Sequence, residues 1–143
     1  MATQLCQQEN SVLIAQDPLM AALYPENRTI EDYLRTQPLL RNAIKTHIIE
    51  LLKKGMSVIL DFPANTKTSR LWMRDIFTQA GSDHILHFLD TPDDICRQRM
   101  HARNAANNHE YKITDAQFDE ITAMFVTPSD QENFNIMSYT YKS

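Results

Sequence analysis

Glycine is scarce in this chain, with 2 in 143 residues. The phosphate-binding loop GxxxxGK[ST] and the dinucleotide-binding turn GxGxxG both need glycines two to five positions apart. Gly55 and Gly81 are much further apart than that, and neither precedes a lysine. The sequence therefore contains no standard glycine phosphate loop.

Membrane-spanning runs, leader patterns and cysteine frameworks are also missing. No apolar run approaches the ~18 residues needed to cross a bilayer, and the Gln-rich residues 1–10 lack a signal-peptide pattern. Cys6 and Cys96 are too far apart for a CxxC pair. We expect a cytoplasmic protein with no membrane partner.

Positive charge is in the minority, with 14 Lys and Arg against 18 Asp and Glu, a net charge of -4. No basic stripe stands out, so we expect no nucleic-acid partner. With 43% hydrophobic residues, the length and composition predict one domain, residues 1–143, with a real core.

Short apolar runs alternate with helical patterns along the chain. Strands are predicted at residues 11–15, 56–62, 84–89 and 135–141. This alternation predicts an α/β fold with a parallel sheet and helices on both faces. The second strand is nearly all apolar, as a strand covered on both faces should be.

The predicted helices carry clear start and stop signals. Thr29 and Thr114 each begin a capping box, and Gly55 and Gly81 are expected to end helices. Pro38 is expected to kink or divide its helix. The helices are predicted over 18–23, 29–54, 66–80, 91–104 and 114–128, the last with Phe118, Ile121 and Phe125 on its buried side.

Three of the four predicted strands are followed by an aspartate, namely Asp17, Asp61 and Asp90. Ligands on parallel sheets bind at the carboxyl ends of the strands, so this placement indicates a functional site. The alternative is that these aspartates form turns and cap helices, which is common after strands.

Several segments together resemble one family of proteins. They are Val12–Asp17, Leu23–Pro25, Val58–Thr66, His87–Asp90, Cys96–Arg97, Arg103–Asn104 and Phe134–Ile136. In this order they are similar to AAA-type ATP-binding proteins built like small P-loop kinases, relatives of zeta toxins and polynucleotide kinases. The resemblance covers essentially the whole chain. It implies a P-loop NTPase-like three-layer fold, ATP and Mg²⁺ as cofactors, and phosphoryl transfer to a small-molecule acceptor.

The chain departs from the family at its start. Residues 1–5 are similar to the interior of the helix that follows the family's first strand and Walker A loop, which are both missing here. Either Met1 is an internal methionine of a protein that starts upstream, which we favour, or the chain is a natural truncation. In the family the first strand lies in the middle of the sheet, so its absence would separate the strands that end near Asp17 and Asp61 from those at 84–89 and 135–141. We expect this chain to bind ATP poorly, and its sheet to be distorted, to close up or to pair in a homodimer through exposed strand edges.

The resemblance also assigns residue roles. It implies that Asp17 orients or deprotonates the acceptor and that Asp61 acts on Mg²⁺ through water. Arg99 and Arg103 would neutralise the phosphoryl group from a lid at residues 97–113. Asn65 and Arg70 are weaker candidates for binding the acceptor, whose identity stays open between a small antibiotic, a nucleotide sugar and a nucleic-acid 5′ end.

Each assignment has a structural alternative. Asp17 and Asn65 would cap helices, and Arg99 and Arg103 would lie on a solvated helix face, paired with Asp93 or Asp94. The histidines have no ligand spacing, so no direct protein metal site is expected. At the level of function, the alternative to a kinase is a non-catalytic remnant that acts as a binding or interaction module.

Overall fold

A computed structural model describes residues 1–7, 9–106 and 112–141. Its helices are α1 (Ala2–Leu5), α2 (Gln16–Leu23), α3 (Ile30–Lys53), α4 (Lys67–Ala80), α5 (Asp93–Ala106) and α6 (Asp115–Ala123). Its strands are β1 (Ser11–Ala15), β2 (Ser57–Asp61), β3 (Leu86–Asp90) and β4 (Ile136–Thr140), with a 3-10 helix at Asp130–Glu132. The chain is thus α/β, as predicted.

The described strands form two parallel pairs. β1 pairs with β2, and β3 pairs with β4. No hydrogen-bonded ladder joins β2 to β3 in the described residues, which agrees with the separation of the two strand pairs expected from the missing first strand. The alternation of strands and helices indicates parallel pairing, but it does not state which strands are neighbours.

The chain divides into two compact units. Unit 1 consists of Met1–Ala64 and Thr68–Asp83, and unit 2 consists of Asn65–Lys67 together with the described chain from His84 onward. Unit 1 therefore holds β1 and β2, whereas unit 2 holds β3 and β4.

The core of unit 1 lies between α3, α4 and the β1–β2 pair. Ile48 and Ile49 of α3 and Ile76 of α4 are buried at its centre. Around them pack further apolar side chains from the two helices and from the strands, which are Ile14, Ile44, Leu52, Val58, Leu60, Trp72 and Ala80. Val58 and Leu60 alternate along β2, so one face of this sheet carries the core.

Helix α3 begins and ends at the signals in its sequence. The Thr29 hydroxyl accepts a bond from the Asp32 amide at 3.1 Å, and the Asp32 carboxylate accepts one from the Thr29 amide at 3.2 Å, which confirms the capping box. After Lys54, Gly55 adopts a left-handed φ of 83° that most residues avoid. Pro38 lies inside α3 without dividing it, because the cap and the buried stripe outweigh its missing N–H.

The strands are less covered than the sequence suggested. Ser57 and Asp61 at the ends of β2 are exposed, and the three residues between them are only half-buried. Each described strand has one hydrogen-bonded neighbour, so its other edge lacks the backbone partner that a central strand would have. The core covers the face of β2 that carries Val58 and Leu60, and cover on its other face stays a prediction.

Unit 2 is held by aromatic pairs beside its sheet. Phe88 of β3 stacks on Phe125 with ring centroids 6.3 Å apart, and His84 lies edge-on to Phe134. Helix α6 has the predicted capping box at Thr114 but ends at Ala123. Phe125 therefore lies beyond the helix and is 42% exposed, which corrects its predicted place on the buried side of α6.

No helix in the described ranges is both long enough and apolar enough to span a bilayer.

Candidate functional site at the carboxyl ends of β1 and β2

Two of the predicted aspartates lie at one end of the first sheet. Asp61 is the last residue of β2 and is in register with Ala15, the last residue of β1. Asp17 follows two residues later, in the first turn of α2, and is half-buried. Because parallel strands end at the same edge, the backbone positions of Asp17 and Asp61 belong to one end of unit 1.

The helix that contains Asp17 begins earlier than expected. Its N-cap position is Ala15, and its first residue is Gln16 rather than Pro18. Asp17 is therefore not the cap, but its carboxylate still lies in the first turn, where a negative charge interacts favourably with the helix dipole. This electrostatic role and a catalytic role are compatible.

A buried arginine lies at the same end of unit 1. Arg41 of α3 is 6% exposed. Its guanidinium donates to the Gln16 side-chain oxygen at 3.3 Å, to the Ser69 hydroxyl at 3.0 Å and to the Pro63 carbonyl at 3.1 Å. One side chain thus joins the segment after β1, the segment after β2 and the start of α4.

Neutral partners surround this guanidinium. It lies over the Trp72 ring, 5.3 Å from the centroid, and Gln16 donates in turn to the Tyr33 hydroxyl. Burial lowers the pKa of Arg41, and nearby Tyr33 opposes that shift. No carboxylate in the described part of the chain is a hydrogen-bond or ion-pair partner of Arg41.

The segment after β2 is fixed by two further contacts. Phe62 is buried and stacks on Trp72 with ring centroids 5.5 Å apart. Arg70 of α4 is fully buried and donates to the Ala64 carbonyl at 2.8 Å. Arg70 thus contacts the backbone of the predicted acceptor segment, and its direct contact with an acceptor stays a prediction.

Asn65 belongs to unit 2. Its carbonyl accepts a hydrogen bond from the Val126 amide at 2.8 Å. Helix α4 begins at Lys67, so the residue before the helix is Thr66 rather than Asn65, and the alternative that Asn65 caps this helix is wrong. Its proposed contact with an acceptor remains a prediction.

The arginines of α5 have separate surroundings within unit 2. Arg99 is exposed, with its guanidinium 5.5 Å from the centre of the Tyr141 ring. The Nε atom of Arg103 is buried without a hydrogen-bond partner in the described structure. Both lie in α5 at i and i+4, as predicted, but residues 107–111 of the proposed lid lie outside the described residues.

A third arginine of α5 forms two ion pairs with helix α6. Arg97 binds Asp115 at 2.9 Å and also Asp119, both on α6. Hydrogen bonds to Asp119 and then to Asp115 raise the pKa of Arg97. These pairs do not test the alternative that Asp93 or Asp94 pairs with Arg99 and Arg103, which stays a prediction.

Three described histidines have specific hydrogen-bond partners. His84 accepts from the Asn135 amide, His87 lies 2.9 Å from the Tyr139 hydroxyl, and His101 contacts Asp115. His109 is outside the described residues. Within the described ranges, no group of three or more His, Cys, Asp or Glu side chains is arranged to hold a metal ion.

Comparison with known proteins gives one match. A family model described as "AAA domain" matches residues 1–128. The chain belongs to the AAA domain family. No curated protein and no solved structure matches it significantly. Family membership agrees with the P-loop NTPase-like resemblance of the sequence and indicates a nucleotide-binding function of the kinase or ATPase kind.

Sequence reasoning missed Arg41, although a signal for it exists. Arg41 precedes Ile44 by three positions and Ile48 by seven, so it lies on the inward stripe of α3. A charged residue on such a stripe must find partners inside the protein. Those partners, Gln16 and Pro63, are distant in sequence, and no local pattern points to them.

Proposed function

We propose that the chain is the acceptor-side part of an ATP-dependent phosphotransferase of kinase type. One observation carries the proposal, namely that Asp17 and Asp61 follow neighbouring parallel strands at one end of unit 1 in a member of the AAA domain family. A phosphotransferase needs a base for the acceptor hydroxyl and an acid that acts on magnesium. Both residues are carboxylates, and both lie at the carboxyl ends of the strands, where parallel sheets bind their ligands.

The donor set fits a magnesium ion that is held mainly by a nucleotide. Mg²⁺ in such sites usually takes one or two carboxylates, several waters and the substrate phosphates, rather than an all-protein cage. Asp61 and Asp17, which lie at the same end of unit 1, together offer that number of carboxylates. When bound, Mg²⁺ and ATP supply the phosphoryl group and neutralise its charge.

Within this proposal each side chain has one task. Asp17 would accept the proton of the acceptor hydroxyl, and Asp61 would hold the magnesium ion, which the family resemblance implies is through water. Arg99 and Arg103 neutralise charge on the transferring group, a role that rests on the family resemblance alone. Asn65 and Arg70 are proposed at the acceptor, the latter through the segment after β2 that it already contacts.

The backbone cradle for the ATP phosphates is the part that this sequence does not contain. Both glycines end helices in the structure, Gly55 after α3 and Gly81 after α4. We propose that this chain alone binds ATP weakly.

The test is ATP turnover by the protein purified from its native cells. That protein is expected to convert ATP to ADP in the presence of Mg²⁺. Asp17→Asn and Asp61→Asn are each expected to lower kcat about 100-fold or more.

Asp83→Asn is the matched control, because Asp83 is an exposed aspartate of unit 1 that lies after α4 rather than at a strand end. It should leave kcat unchanged. A native protein without ATP turnover would contradict the proposal and favour a non-catalytic binding module.

A further inference from the structure

The ladder between β1 and β2 ends at Asp61 and does not reach Asp17. Its last pair is Ala15 with Asp61, and beyond it β1 continues into α2 while β2 continues into Phe62 and Pro63. Backbone hydrogen bonds between the strands therefore no longer define the separation of the two segments. Another element must do so if Asp17 and Asp61 are to act together.

Arg41 bridges this point. It binds Gln16, the residue directly before Asp17, and Pro63, two residues after Asp61. Both acceptors are oxygens that face one planar guanidinium, so their separation is fixed by the geometry of a single rigid group. The third bond, to Ser69, ties the group to α4.

The bridge itself is held rigidly. The α3 backbone around Arg41 is anchored by the buried side chains of Leu40 and Ile48, and the Trp72 ring covers one face of the guanidinium. Gln16 is fully buried, and its amide also donates to Tyr33, which fixes the orientation of its oxygen. Little freedom remains at either end of the bridge.

We propose that Arg41 is a positioning residue, which sets the spacing of Asp17 and Asp61 by holding Gln16 and Pro63 on one guanidinium. Its effect on catalysis rests on the phosphotransferase function proposed above. The bridge itself does not depend on that function, so the two can be tested separately.

Lysine cannot replace arginine in this role. Its ammonium is a point charge that lacks a planar fork able to span two acceptors in fixed directions. Arg41→Lys keeps the positive charge and the helix propensity but loses the geometry. Lys45→Met is the matched control, since Lys45 is one turn further along α3 and pairs with Asp75 of α4 without contacting either strand end.

The first measurement is amide hydrogen exchange on the full chain. Arg41→Lys is expected to speed exchange in the segments that follow β1 and β2, to which Gln16 and Pro63 belong, by at least tenfold, whereas Lys45→Met leaves these segments unchanged. Equal exchange in Arg41→Lys and wild type would overturn the bridge, whatever the protein's activity.

The second measurement is ATP turnover by the natural protein. Arg41→Lys is expected to lower kcat up to about 100-fold, as displacement of a reacting group by about 1 Å does, while KM for ATP stays within twofold. Gln16→Met should lower kcat as well, and the double variant should be no slower than Arg41→Lys, because both changes break the same bridge.

The outcomes separate the two proposals. Faster exchange in Arg41→Lys, together with no ATP turnover by the wild-type protein, would support the bridge and contradict the kinase function. A kcat loss matched by Lys45→Met, or additive losses in the double variant, would show general destabilisation and overturn the positioning role. If Arg41→Lys fails to fold, Gln16→Met alone decides through the same two measurements.

Discussion

Truncation of Ile48 to alanine gives the sharpest test of the unit 1 core. Ile48 of α3 is fully buried, and it packs among side chains from α3, α4, β1 and β2. Burial of an isoleucine side chain contributes roughly 1.5–3 kcal/mol, and the cavity left by its removal raises the cost to about 2–5 kcal/mol. We take about 3 kcal/mol as the expected loss in the free energy of unfolding.

Urea unfolding followed by the fluorescence of Trp72 measures this loss. Trp72 is the only tryptophan in the chain and packs against the same core, so its signal reports on unit 1. With a slope of about 2 kcal/mol/M, Ile48→Ala should lower the urea midpoint by about 1.5 M. Leu39→Ala on the same helix is the control, because Leu39 is 55% exposed and should cost about 0.5 kcal/mol or less.

Equal shifts in the two variants would refute the assignment of the inward face of α3. A change in slope without a change in midpoint would also count against the reasoning, because it would indicate a different unfolded or native state rather than a lost core contact.

Three smaller predictions test the helix termini and the ion pairs. Thr29→Ala removes the cap of α3 and should cost about 1 kcal/mol in urea unfolding at neutral pH. Hydrogen bonds, first from the Arg28 amide, hold the pKa of Asp32 at about 2, below its ordinary 3.8. The stability that Asp32 contributes is therefore present above pH ~4 and lost as the pH falls towards ~2, so wild type and Asp32→Asn should converge in melting temperature over that window. Asp119→Asn should lower the melting temperature slightly, and the difference should shrink in about 1 M salt, because the pair with Arg97 is exposed.

Local signals in the sequence predicted the helices well. Thr29 and Thr114 begin capping boxes, and Gly55 ends α3, because each signal acts within about four residues of the chain. The partners of Arg41 are 22 to 28 positions away, so a local pattern could show that Arg41 points inward but not what it binds.

The candidate site was predictable only in part. The sequence places Asp17 and Asp61 after strands, and the parallel pairing of β1 with β2 was inferred from the alternation of strands with helices. The separation of these strands from β3 and β4 was expected from the family resemblance and not from a local pattern, since strand order depends on long-range contacts. The roles of Asp17 and Asp61 stay predictions until turnover is measured.

The parallel pairing described above also sets a delay during synthesis. Ser11 pairs with Ser57, so β1 waits for 46 further residues before its partner exists. At about 5 to 20 residues per second, that wait is roughly 2 to 9 s. The intervening α2 and α3 can form meanwhile, because helices need only local contacts. A nascent chain therefore carries an unpaired apolar strand for seconds, and chaperone binding to β1 is expected to be strongest before Asp61 leaves the ribosome.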